Sequence, residues 1–286
     1  MPTEISEKIL SEVIKTRKSA THKGNYGRIL LIGGSDNYGG AIIMATEGAI
    51  NVGAGLTAVA THSVNLTALH ARDPEAMFID WHDKGLPALI KKMDVIVCGP
   101  GLGMSTMAQQ LLKILKENVT AKQTVVLDAS ALDLVAQDKN FLPSNAGHLV
   151  LTPHQMEWQR VSQLRIPFQT DQANLTALKQ LVPQGNVTLI LKSNHTHVYG
   201  EDGSVFINPI GNPGMATGGM GDTLAGIVGG MIAQFGPDLK TILAAVYLHS
   251  YAGDQLYEDN YVVKPTALSQ SLPKIMKKYA TSLEKC

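Results

Sequence analysis

Between Asn212 and Gly226 the chain reads Asn-Pro-Gly-Met-Ala-Thr-Gly-Gly-Met-Gly-Asp-Thr-Leu-Ala-Gly, which sets one acid, Asp222, behind a glycine-rich turn and ahead of an apolar, helix-like stretch, Leu224 to Phe235. Gly214, Gly218, Gly219 and Gly221 are expected to allow positive φ and close backbone approach to a ligand. The first N–H groups of the helix have no internal partner, so the segment reads as an anion cradle. A carboxylate beside bound phosphate is repelled by it. Its presence is explained if it takes the proton of a hydroxyl that attacks the phosphate. The competing reading is an N-cap aspartate on an ordinary loop, which the density of glycine disfavours.

Two more polar groups stand at the exits of apolar runs. In Thr152-Pro-His-Gln-Met-Glu157 the proline ends a strand and starts a helix, so His154 and Glu157 fall on one face. Glu157 either holds a magnesium ion through water or is a first-turn acid that satisfies the helix dipole. Lys192, after Leu189-Ile-Leu191, either neutralises a phosphate or carries its charge out to water. Other motifs fall away. There is no G-x-x-x-x-G-K-[ST] and no G-x-S-x-G, so Ser130 has no evident base partner. Gly53-Ala-Gly-Leu-Thr-Ala58 leaves a helical pattern and enters a strand, the reverse of a dinucleotide fingerprint. His195-Thr-His197 places two rings on one face of a strand without a third ligand, and reads as structural.

The elements that must position these groups alternate along the chain. Arg28–Ile32, Leu56–Thr61, Val95–Cys98, Val125–Leu127, Leu149–Leu151 and Leu189–Leu191 read as buried strands, each leaving into a turn or a polar residue. Residues 40–50, 106–117 and 171–181 have helical composition, and 195–198 with 204–207 suggest a hairpin that makes the sheet mixed at one end. The fold class expected is α/β, a mostly parallel central sheet flanked by helices, with its ligand site at the carboxyl ends of the strands. The glycine loops near 33, 99 and 211 then gather along that edge. The 286 residues, 44% hydrophobic, suit a single domain over 1–286. With 24 basic and 24 acidic residues there is no net field for nucleic acid or an anionic membrane, which leaves small molecules as partners. Cys98 in a strand and Cys286 at the end of the chain argue against disulfides and for a reducing cytoplasm, and residues 1–18 lack the apolar core of a signal peptide.

Taken in order, His22-Lys-Gly-Asn-Tyr-Gly-Arg28, Gly33-Gly-Ser35 with Gly40-Ala41, Gly53-Ala-Gly-Leu56, Pro74-Glu-Ala-Met77, Gly99-Pro-Gly-Leu-Gly103, Leu127-Asp-Ala129, Thr152-Pro-His154 with Glu157, Leu191-Lys192 and Asn212 to Gly226 resemble the ADP/ATP-dependent NAD(P)H-hydrate dehydratases. These belong to the ribokinase-like superfamily, and the likeness runs from about His22 to Pro265. The resemblance implies a three-layer ribokinase-like sandwich and the free-standing dehydratase, since too few residues precede 22 for an epimerase domain. It implies Asp222 as catalytic base, and Ala41, Gly103, His154 and Asp222 against the hydrated nicotinamide nucleotide. Lys192, Ser193, Asn194, His195, Thr196, Gly218, Gly219 and Gly221 would lie around the ADP or ATP donor. Glu157 matches a magnesium-associated acid, acting through water, and the protein would be a homo-oligomer, a tetramer among its forms. Two departures stand out: Ser193 where the family has glycine after the lysine, and Ser130 where it commonly has an acid.

The implied chemistry accounts for the base. Hydrated NADH or NADPH (NADHX, NADPHX) carries a C6 hydroxyl, a poor leaving group until it is phosphorylated. The ring nitrogen then expels phosphate and C5 loses a proton. Two readings compete: a vitamin or sugar kinase, which would release a stable phosphate ester, and a non-catalytic nucleotide sensor, which would need no acid after Gly221.

Overall fold

In the computed structural model, which describes residues 2–282, ten strands form one sheet. They are β1 (Thr3–Glu4), β2 (Arg28–Ile32), β3 (Leu56–Thr61), β4 (Met77–Asp80), β5 (Val95–Cys98), β6 (Thr124–Leu127), β7 (His148–Leu151), β8 (Val187–Leu191), β9 (His197–Tyr199) and β10 (Val205–Ile207). The order across the sheet is β1-β10-β9-β8-β7-β6-β5-β2-β3-β4. All pairs are parallel except β8–β9 and β9–β10, so the expected hairpin makes the sheet mixed at that end. It begins at His197, not His195, because residues 193–196 form the turn out of β8.

The strand cores read as unbroken apolar runs because both faces are covered. Alternate residues serve opposite faces: Ile29, Leu31, Val95, Val97, Val126, Val150 and Ile190 belong to one apolar core, and Leu30, Ile32, Ile96, Cys98, Leu127, Leu151 and Leu189 to the other. The helices are α1 (Lys8–Val13), α2 (Gly39–Asn51), α3 (Leu66–Arg72), α4 (Leu86–Ile90), α5 (Thr106–Asn118), α6 (Ala129–Gln137), α7 (Gln155–Ser162), α8 (Asp171–Leu181), α9 (Met220–Phe235), α10 (Leu239–Tyr257) and α11 (Pro265–Ser282). Those from α4 to α8 pack on the second core, and α1, α2, α9, α10 and α11 on the first, which gives three layers. Cys98 is buried and unpaired; Cys286 lies outside the described residues. No helix among the described residues is long and apolar enough to cross a membrane.

Two features of this topology place the site. The chain runs outward through β2, β3 and β4 and returns to the other side of β2 as β5, so the loops after β2 and β5 leave adjacent strand ends at a switch point. They are tied there by Gly34 N donating to Pro100 O at 2.9 Å and Ser35 N to Gly101 O at 2.7 Å. The second feature is a near approach of α9 to α2. A Cβ added at Gly226 would stand 1.9 Å from the carbonyl oxygen of Ala45, and one at Gly230 2.8 Å from that of Ala49. Glycine at these positions therefore sets how deep α9 sits on the sheet.

Gly226→Ala is expected to lower stability by about 1–3 kcal/mol in thermal unfolding, because the methyl group meets backbone that cannot turn aside. At Gly40, in the first turn of α2 with nothing within 4 Å of an added Cβ, the same change has the opposite sign: unchanged or up to about 1 kcal/mol more stable, from helix propensity.

Candidate active site

Three neighbouring strands end in polar residues that meet. Asp128 follows β6, Thr152 follows β7 and Lys192 follows β8. The Lys192 ammonium donates to Asp128 Oδ1 at 2.8 Å, and Thr152 Oγ1 donates to the same oxygen at 2.8 Å and to Leu127 O at 3.2 Å. Asp128 and Thr152 are buried. Lys192 N donates to Pro153 O at 2.8 Å, which stretches β8 one step along the exit of β7. On its other side the ammonium lies 3.1 Å from where a Cβ on Gly221 would stand, so the missing side chain there leaves room for it.

Asp222 is inside α9, the third residue from its start, and the N-cap is Gly219 at φ 93°. The apolar run therefore begins its helix four residues earlier than Leu224, and Asp222 is not the N-cap residue. Of Gly214, Gly218, Gly219 and Gly221, only Gly219 takes positive φ; the others serve by lacking a side chain. Burial, then the like charge of Asp128, pushes the Asp222 carboxyl up to about 6, with Lys192 pulling the other way. Burial works against the Lys192 ammonium, but Asp128, Glu157 and Asp222 outweigh it and hold its pKa above the usual lysine value.

A cavity of about 330 Å³ opens beside this group, lined by Lys192, Ser193, Asn194, Thr196 and Gly221 and walled by Met215, Leu224, Val246 and His249. His195, Gly218 and Gly219, expected around the same ligand, do not line it. Ser193, where glycine was expected, turns its hydroxyl back onto His195 O at 2.6 Å. Since His195 lies outside the strand, the two rings of His195-Thr-His197 do not share a strand face; His197 stacks on Tyr199.

Ala41 and Gly103 come together at the switch point, apart from this cavity. The Ala41 methyl is 3.0 Å from the position of a Cβ on Gly101, and Gly103 N donates to Ser130 Oγ at 3.1 Å. Ser130 thus has a defined task in holding the loop after β5. His154 is the N-cap of α7: its Nδ1 accepts from Met156 N at 3.1 Å and Glu157 N at 3.2 Å, while Glu157 Oε2 accepts from His154 N at 2.8 Å. Of the two readings of Glu157, the first-turn acid is the one seen: it caps α7, and its charge interacts with that of Lys192. Burial raises its pKa and Lys192 opposes that. Among the described residues no group of three or more His, Cys, Asp or Glu side chains is arranged to hold a metal. A direct protein cage is therefore absent there.

Sequence reasoning gave no role to Asp128, Thr152, His249 or Asp254. The first two carried the signal that marked Lys192, a polar residue ending an apolar run. His249 carried none. It lies within an apolar helix, and burial lowers its pKa to about 4, so the ring is neutral. Asp254 accepts from Gly211 N at 3.2 Å and Asn212 Nδ2 at 2.7 Å, anchoring the glycine loop from α10.

The model of a family described as NAD(P)H-hydrate dehydratase matches residues 29–274. An ADP-dependent (S)-NAD(P)H-hydrate dehydratase of Enterococcus faecalis is 50% identical over 277 residues, 96% of this chain and 93% of the relative. Among solved structures, a ribokinase-like superfamily protein of E. faecalis superposes with a TM-score of 0.93 at 49% identity, covering 97% of this chain and 96% of the other. The ADP/ATP-dependent NAD(P)H-hydrate dehydratase of Bacillus subtilis, co-crystallized with ATP/Mg2+, superposes with a TM-score of 0.83 at 27% identity, covering 97% and 99%.

If Asp222 is the base, a carboxyl lifted to about 6 in the unliganded site is effective only above that value. kcat/KM, which reports the free protein, is then expected to rise about tenfold per pH unit below it and level off above it. A kcat/KM profile flat down to pH 5 would remove Asp222 from the proton transfer.

Proposed function

This chain belongs to the NAD(P)H-hydrate dehydratase family, and we propose that its strand-end site uses ADP or ATP to phosphorylate the C6 hydroxyl of hydrated NADH or NADPH. The protein returns the S-epimer of the hydrate to the working cofactor, a carbon–oxygen lyase reaction of nucleotide repair. The observation that carries the mechanism is the placing of Asp222. It is an acid with a pKa raised to about 6, in the first turn of α9, next to the glycine over which Lys192 sits.

In this reading the donor's phosphates occupy the cavity beside Lys192, Ser193, Asn194, Thr196 and Gly221, and the hydrate enters from Ala41, Gly103 and His154. Asp222 takes the C6 hydroxyl proton as the oxygen attacks the terminal phosphorus, and the anhydride bond breaks. The Lys192 ammonium and the free N–H groups at the start of α9 receive the charge that spreads over the transferred oxygens. The ring nitrogen's electron pair then expels phosphate from C6, and loss of a proton from C5 restores the C5=C6 double bond. Overall, one phosphoanhydride bond is cleaved and one phosphate is released per cofactor restored.

A magnesium ion fits this site as a companion of the donor and not as a resident of a protein cage. Glu157 commits one oxygen to His154 N and presents a carboxylate near Lys192, which suits an outer-sphere contact through water. When bound, the ion would neutralise phosphate charge. The kinase alternative uses the same base and loop. It parts from this reading at the product, because a phosphate on a primary alcohol has no adjacent electron pair to expel it.

Asp222→Asn is expected to lower kcat by about 10²–10⁴ while donor binding persists, since the amide keeps size and loses basicity. Its folded pKa lies above the ordinary aspartate value of 3.8. The folding advantage that this implies is complete below about pH 4 and lost as pH rises through about 6. At pH 8, therefore, thermal unfolding of the Asn variant should show no loss of stability; a collapse of the fold would assign Asp222 to structure. The overall reaction is checked by stoichiometry. Absorbance recovery of the reduced nicotinamide should match nucleotide cleaved and phosphate released one to one, and a lasting phosphate ester as main product would overturn the reading in favour of a kinase.

A further inference from the structure

We propose that Asp128 is a positioning residue of the reaction: from behind the site it holds the Lys192 ammonium over the start of α9, where the donor's phosphate arrives. The proposal rests on the reading of the Lys192 cavity as the donor site.

The geometry is directional. Asp128 is 1% exposed, and among the described residues its carboxylate is the one hydrogen-bonded to the ammonium, at 2.8 Å. Thr152 Oγ1 donates to that same oxygen at 2.8 Å and fixes it. An ammonium has three N–H groups, and this contact uses one of them at the buried side. The other side looks toward Gly221, 3.1 Å from the position of its absent Cβ, and toward the cavity. Glu157 and Asp222 act on the same ammonium from α7 and α9, but Glu157 has an oxygen committed to His154 N. Lysine carries its charge on a flexible four-carbon stem. Tethered at the back, it meets an incoming phosphate from the front without having to leave its carboxylate.

The bland reading is a buried ion pair that ties the end of β6 to the end of β8 and has no bearing on the donor. The two readings part in donor binding. ADP affinity is measured by titration calorimetry, without the hydrate, for Asp128→Asn, Lys192→Gln and the double variant, alongside thermal unfolding and the KM for the hydrate. Positioning predicts that Asp128→Asn binds ADP at least about tenfold more weakly while the KM for the hydrate stays within about twofold. It further predicts that the double variant binds ADP no more weakly than Lys192→Gln alone, because the carboxylate acts only through the ammonium. The double variant should also unfold at a higher temperature than Asp128→Asn, in which the buried ammonium has lost its hydrogen-bonded partner. Wild-type ADP affinity in Asp128→Asn, or losses that simply add, would overturn the proposal. If Asp128→Asn does not fold, the comparison of the double variant with Lys192→Gln decides: equal affinity supports positioning, and a further loss shows that Asp128 acts on its own. Lys192→Gln with wild-type ADP affinity would overturn the donor-site reading itself.

Discussion

Strands β6 and β8 end on either side of β7, and the charges they carry there, Asp128 and Lys192, meet at 2.8 Å across the end of β7. A buried charge without a partner is costly: removing one member of such a pair typically costs about 3–5 kcal/mol. The contact therefore couples the relative heights of three parallel strands to a single hydrogen bond, with Thr152 between the charged pair supplying the second donor. Once that contact is set, the ammonium stands at one height above the sheet. The glycine at 221 then allows α9 to start close to it.

The other constraint is the depth of α9. Gly226 and Gly230 let the helix press against the backbone of α2, and its first turn carries Asp222 toward the strand ends. The partner helix α2 begins at Gly39, at the switch point where the loops after β2 and β5 part, and it carries Ala41 there. One tight helix pair thus links the two regions that the proposed reaction would bring together. The proposed base, Asp222, stands at the amino end of α9, and the pocket expected for the hydrate stands at the amino end of α2. A parallel sheet with helices on both faces collects such termini on one edge, which is why an anionic ligand suits that edge.

Much of this was legible in the chain. β2, β3 and β5 lie at the residues expected from their apolar runs, and α8 spans 171–181 as its composition suggested, because sheets buried on both faces leave an uninterrupted signal. The start of α9 was misplaced because Met220-Gly-Asp looks like loop, and only tertiary packing around Gly221 makes it helix. Strand β4 escaped notice: Met77–Asp80 is short and half-buried at the sheet edge, so its pattern is weak. In the site, Asp222 and Lys192 were marked by their positions after glycine and after an apolar strand. His249 was not, since what matters about it is the wall it forms opposite residues more than fifty positions away.

Three carboxylates around one ammonium make an odd receptor for a polyphosphate, and the imbalance itself has a chemical use. Asp222 already lies at about 6, through burial and the charge of Asp128, with Glu157 acting in the same direction and Lys192 opposing. Each further negative charge brought near it raises that value again, since like charge disfavours ionisation. On the proposed reading, a donor phosphate seated beside Lys192 would therefore make the Asp222 carboxylate a stronger base, while the ammonium, then shared, would shield it less. The rise must stop short of protonating Asp222 before the hydroxyl arrives. Countercharge at the phosphates would supply that limit, from Lys192 and from a metal ion if one entered with the donor. On the same reading, the acids that look unfavourable for binding would tie base strength to occupancy: proton abstraction would be strongest when something to phosphorylate with is in place, and weaker when the hydrate is bound alone.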